Sequence, residues 1–161
     1  MPELTLQTAT PEDIPVLLDF VHQLAVYEKE PDAVEATQAD IHQGLFGPDA
    51  TAHGLICRLE GVAIGFAIYF YNFSTWTGKR GLYLEDLFVN PDHRGLGAGK
   101  ALLSRLARIA LDNDCRRFEW SVLDWNKPSI QFYEALGARP MSEWIGYRLD
   151  GEALTRLAAQ G

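Results

Sequence analysis

Cysteine is scarce in this 161-residue chain, where Cys57 and Cys115 are the only two. They form no Cys-x-x-Cys pair and have no ligand spacing, which excludes a disulfide framework and a thiolate-held metal. Buried thiols in a reducing compartment are expected. The first ten residues lack a secretory pattern, and the expected location is cytoplasmic. No apolar run approaches the roughly 20 residues that span a bilayer; Val62 to Phe73 is short, strand-like and aromatic. No membrane partner is expected. The histidines His22, His42, His53 and His93 lack metal-ligand spacing, so no metal is expected. Gly-x-Ser-x-Gly is missing, and Cys115, beside Arg116 and Arg117, has no identifiable histidine partner, which argues against serine or thiol catalysis. Basic residues are few as well: 14 Lys and Arg stand against 22 Asp and Glu, for a net charge of -8. Such a field repels phosphate backbones and attracts cations, so nucleic acid is excluded as a partner, while solubility alone also accounts for the acidity.

The length and composition fit a single domain over residues 1–161 with one sizeable core. Leu4 and Leu6 alternate as in a strand. Thr10-Pro11-Glu12-Asp13 then supplies a cap, a proline at the first helical position and an acid three residues on. Ile14, Leu17, Leu18, Val21, Leu24 and Ala25 repeat at helical spacing to about Tyr27, and Thr37 with Asp40 opens a second helix. From Gly54 to Val89, three apolar runs separated by Glu60-Gly61 and by the stretch Asn72 to Gly81 predict three antiparallel strands. Helical period returns from Gly97 to Leu111. A strand at Phe118 to Leu123, a helix from Ser129 to Leu136 capped by Gly137, one or two strands between Met141 and Leu149, and a short helix near Glu152 to Leu157 complete the chain. The order is β-α-α-β-β-β-α-β-α-β, a mixed α/β (α+β) sheet protein.

The most informative stretch runs from Leu84 to Leu103. A strand ends at Asn90-Pro91, passes Arg94-Gly95-Leu96-Gly97-Ala98-Gly99-Lys100 and opens directly into a helix. Glycines admit close backbone approach, and the first helical turn presents unpaired N–H groups at the positive end of the helix dipole, a combination suited to a diphosphate. Three phosphate-binding readings compete. A Walker loop fails because Arg94 occupies the first glycine position and Ala101 follows Lys100. A dinucleotide fingerprint fails because the third glycine position falls on Lys100 or on Leu102. Arg-x-x-Gly-x-Gly, met by Arg94, Gly97 and Gly99, resembles the acetyl-CoA loop of the GNAT superfamily of N-acetyltransferases. Tyr27-Glu28, Ser74-Thr75-Trp76, Leu82-Tyr83-Leu84-Glu85-Asp86, Val122-Leu123-Asp124-Trp125-Asn126 and Phe132-Tyr133 resemble its diamine and thialysine acetyltransferase branch.

An alkyl ammonium is not a nucleophile until it loses a proton, so acetyl transfer to an amine needs a proton acceptor, usually a carboxylate acting directly or through water. Glu85 and Asp86 are the candidates. They are neighbours in an apolar strand, where consecutive side chains face opposite sides, so one is expected to point away from the other. The resemblance implies that Glu85 is the water-relayed base, that Asp86, Tyr27, Glu28 and Trp76 bind the cationic acceptor, and that Tyr133 protonates the departing thiolate. It implies that Arg94, Gly95, Leu96, Gly97, Ala98, Gly99 and Lys100 hold the diphosphate of acetyl-CoA. Asn126 and Ser129 then hold its amide arm, and backbone N–H groups of Leu87, Phe88 and Val89 meet the oxyanion. Each residue also has a plainer reading: Asn126 as a helix cap, Tyr133 as a core tyrosine beside Phe132, Glu28 as a solvated helix end. Ser74, the length of the stretch from Trp76 to Glu85, and Tyr147 depart from polyamine-acetylating members and leave the amine open. Acetylation of an amino acid, antibiotic or protein amine, or a non-catalytic CoA sensor, are the alternatives. By analogy a two-fold homodimer is expected.

Overall fold

In the computed structural model, which describes residues 3–161, strand β1 (Leu4–Thr8) leads into the first helix through Thr10-Pro11-Glu12-Asp13. The Thr10 amide donates to Asp13 Oδ2 at 2.8 Å and the Asp13 amide donates back to the Thr10 carbonyl at 2.9 Å. Two donors that lack helical acceptors are thus satisfied locally. Helix α1 (Ile14–Tyr27) buries Ile14, Leu17, Phe20, Leu24 and Ala25. Phe20 joins the expected stripe and its ring stacks on Phe66 with centroids 5.5 Å apart. Helix α2 (Gln38–Phe46) opens on Thr37, whose Oγ1 accepts from the Asp40 amide at 3.2 Å.

Strands β2 (His53–Leu59), β3 (Val62–Ser74) and β4 (Lys79–Val89) form the expected antiparallel meander, with β1 on the outer side of β2. The first hairpin turns at Glu60 and Gly61, both at positive φ (50° and 86°), as a two-residue loop matched to strand twist requires. Helix α3 (Ala98–Asp112) then carries the chain across to strand β5 (Arg117–Trp120), which pairs parallel to β4, giving the sheet order β1-β2-β3-β4-β5. Leu55, Ile56 and Cys57 are buried in succession, so both faces of the sheet are covered. Ile56, Phe66 and Phe88 pack with Leu17, Phe20 and Leu24 of α1, and α3 covers the other face with Leu102, Leu103, Leu106 and Ala110.

The chain divides into two compact units, one up to Ser121 and one from Val122 onward. The second holds helix α4 (Lys127–Ala135), closed by Gly137 at φ 94°, and helix α5 (Gly151–Ala159). The strand expected between Met141 and Leu149 does not form. Alternating apolar residues favour an extended chain, but a strand exists only where its N–H and C=O groups find a ladder, and a sequence pattern does not supply that neighbour.

Candidate active site

The ladder between β3 and β4 carries an irregularity where the chemistry was expected. Ile68 pairs with Asp86 while the next residue, Tyr69, pairs with Leu84. Glu85 is the extra residue of a β-bulge. Neighbours on β3 face opposite sides, so their partners Leu84 and Asp86 do too, although they are two apart and would share a face in a regular strand. Leu84 is buried with Tyr69, and Asp86 turns with Ile68 and Phe88 toward the side packed by α1. Asp86 is half-buried and Glu85 exposed. Burial, then repulsion from Glu85, then repulsion from Glu28 push the Asp86 carboxyl up to about 6. Glu28, which caps the C-terminus of α1, is itself raised by burial of its carboxyl. Three acids and the negative end of a helix dipole thus act on one region, an arrangement that favours a cation. They do not form a metal cluster: among the described residues no three His, Cys, Asp or Glu side chains are placed to hold a metal ion.

Beyond the bulge β4 loses its outer neighbour. The parallel ladder with β5 runs from Gly81 opposite Arg117 to Leu84 opposite Trp120 and stops there. From Glu85 through Leu87, Phe88 and Val89 the outer edge of β4 has no strand beside it among the described residues. Its backbone groups on that side are available to an extended ligand.

At the end of β4, Asn90 Oδ1 accepts from the Asp92 amide at 2.9 Å and starts a tight turn through Pro91, Asp92 and His93. Gly95 and Gly97 follow at φ 82° and 84°, a region that a side chain makes costly. Gly97 is the N-cap of α3, and the first helical bond is donated by Ala101 to the Gly97 carbonyl at 2.9 Å. The amides of Ala98, Gly99 and Lys100 precede that bond and have no acceptor within the helix. A Cβ added at Gly95, Gly97 or Gly99 would meet nothing within 4 Å, so no side chain crowds the turn at its glycines. Arg94 and Lys100 are exposed. Amides without helical acceptors, a helix dipole and two exposed cations fit a diphosphate.

The second unit holds the other expected residues on one helix. Asn126, 9 % exposed, is the N-cap of α4, its Oδ1 accepting from the Ser129 amide at 3.4 Å. Tyr133 lies two turns further, on the same helical face as Asn126 and Ser129, with its ring 5.7 Å from that of Phe132. Capping by Asn126, one of the two expected roles, is thus present.

Trp76 sits in the turn joining β3 to β4, closed by Gly78 donating to the Ser74 carbonyl at 2.8 Å. From that end of β4 to Glu85 is roughly 20 Å along the strand. Tyr27 lies with its ring 5.1 Å from the guanidinium carbon of Arg94. The pairing joins the end of α1 to the glycine turn, and no local motif announces it.

The Acetyltransferase (GNAT) family matches residues 18–138 of the chain, a span that includes residues of both units. The chain is 34% identical to the thialysine N-epsilon-acetyltransferase of Sus scrofa, over 99% of this chain and 100% of that protein. It is 35% identical to the spermidine/spermine N(1)-acetyltransferase-like protein 1 of Homo sapiens, over 91% of this chain and 22% of that protein. Its fold matches an aminoglycoside N-acetyltransferase solved in complex with CoA, with a TM-score of 0.74 and 21% identity over 92% of this chain and 96% of that one.

Proposed function

This chain belongs to the acetyltransferase (GNAT) family, and on that premise we propose that residues 1–161 act as one catalytic domain. It moves acetyl from acetyl-CoA to a primary amine of a small cationic acceptor, a diamine, polyamine or lysine-like amine, by direct transfer in a ternary complex. The observation that carries this reading is the glycine turn, whose amides at Ala98, Gly99 and Lys100 have no acceptor within α3 and stand beside the exposed Arg94 and Lys100. The cofactor supplies the activated acyl group as a thioester; the chain supplies binding and proton transfer.

Gly95, Leu96, Gly97, Ala98, Gly99 and Lys100 receive the diphosphate, with Arg94 adding charge. Along Leu87, Phe88 and Val89, the main-chain groups of alternate residues face the open edge of β4, where an N–H donor stabilises charge that develops on the acyl oxygen. Asn126 and Ser129 contact the amide arm. Asp86 and Glu28 attract the ammonium of the acceptor. Glu85, exposed at the bulge, accepts the ammonium proton through water, and Tyr133 donates its hydroxyl proton to the leaving sulfur. One relative named above acts, by its name, on thialysine, and another is named for its likeness to a spermidine/spermine acetyltransferase; the acids at 28, 85 and 86 suit amines of that charge. A two-fold homodimer and a reducing, cytoplasmic setting complete the reading. The two cysteines are buried and unbonded, and no helix among the described residues is long and apolar enough to cross a membrane.

Purified chain, acetyl-CoA and a panel of putrescine, spermidine, lysine, thialysine, an aminoglycoside and a peptide test this, with free-thiol release as the readout. Release that depends on the small cationic amines is expected. Release with only the aminoglycoside or the peptide would move the acceptor to another class, and no amine-dependent release would leave a CoA sensor.

A further inference from the structure

Arg94 is exposed and makes no ion pair among the described residues. Two contacts hold it. Its Nε donates to the Val89 carbonyl at 3.5 Å, and its guanidinium carbon stands 5.1 Å from the Tyr27 ring centroid. The ring is itself anchored, since Tyr27 is half-buried and packs against the cluster around Leu24, Phe66 and Phe88. A loose arginine side chain loses rotamer freedom when a ligand fixes it. A carboxylate would fix it in advance but would cancel the charge that a diphosphate needs. An aromatic face restrains a guanidinium and leaves its positive charge whole.

We infer that Tyr27 is a positioning residue for cofactor binding: its ring holds the Arg94 guanidinium ready for the diphosphate. The inference rests on the reading of the glycine turn as the coenzyme A site. Tyr27 serves the donor through Arg94, while Glu28 belongs with the acids that push on Asp86.

Calorimetric titration of the full chain with coenzyme A tests this in five forms: wild type, Tyr27→Leu, Tyr27→Phe, Arg94→Gln and the Tyr27→Leu/Arg94→Gln double variant. Tyr27→Leu is expected to weaken the Kd roughly two- to five-fold, the range of an exposed cation–π pair. Tyr27→Phe, which keeps the ring, should bind as wild type. In the Arg94→Gln background Tyr27→Leu should cost nothing further, because the interaction is already gone. The inference is overturned by equal losses in both backgrounds, which marks a general structural role, or by a loss in Tyr27→Phe, which marks the hydroxyl. An unchanged Kd in Tyr27→Leu overturns it as well. If the wild type does not bind coenzyme A, the cofactor reading falls and takes this one with it. Wild-type binding with a failed cycle overturns the Tyr27 role alone.

Discussion

Asp86 lies opposite Ile68 in the sheet and so faces the side packed by α1, where its carboxyl meets the repulsion of Glu28. Its rise from an ordinary 3.8 to about 6 has a consequence for folding. Between those values the native state holds a proton that the unfolded chain has released, so stability falls as pH rises through the window and stays low above it. After allowance for solvent screening the cost at neutral pH is roughly 2 kcal/mol. The neutral Asp86→Asn variant should therefore melt higher than wild type at pH 8, by roughly 4–8 °C for a chain of this size, and equally with it at pH 4. The same variant should raise the KM for a diamine. Thermal melts at the two pH values and amine kinetics check both halves.

Glu85 is exposed at the bulge and is assigned proton acceptance. Glu85→Gln should lower kcat by roughly 100-fold, the lower end of what a positioned base contributes, while calorimetry with coenzyme A gives the wild-type Kd. Activity of the variant should recover partly at high pH, where free amine accumulates without help. An unchanged kcat would remove Glu85 from the mechanism.

Tyr133→Phe keeps the ring contact with Phe132 and removes only the hydroxyl. Turnover should fall by roughly 100-fold, with coenzyme A still bound, if that hydroxyl protonates the leaving sulfur as an acid. Stopped-flow thiol release together with a binding titration separates the two effects.

The glycines of the turn should separate by backbone need. Gly97→Ala places a Cβ at φ 84°, which costs about 1–2 kcal/mol, and it re-aims the amides that follow; both melting temperature and coenzyme A affinity should drop. Gly99 is inside α3 and its Cβ would meet nothing within 4 Å. Gly99→Ala should therefore melt at or slightly above the wild-type temperature, since alanine favours a helix over glycine by roughly 0.5–1 kcal/mol. Calorimetric melts of the two variants decide this.

Much of the fold is legible because its signals are local. The Thr10 and Thr37 caps, the stripe of Leu17 and Leu24, the three apolar runs before Val89 and the turn from Arg94 to Lys100 each arise within a few residues. The strand expected at Met141 to Leu149 failed for the opposite reason: alternation is written in the chain, but a ladder partner is not. Asp86 and Glu85 could be named from sequence as the acids of interest, yet the side each faces depends on a one-residue slip against Ile68 and Tyr69, which no run of residues announces.

The order of residues alone sets the chemistry available: a glycine turn flanked by Arg94 and Lys100, two adjoining carboxylates, a tyrosine two helical turns after an asparagine cap. These depend on short spacings along one chain. Which groups act on one another was decided only by the tertiary structure, because Tyr27 beneath Arg94 and Glu28 against Asp86 join residues tens of positions apart. Such pairings follow from how strands register and helices pack, and these are settled by burial of the whole core.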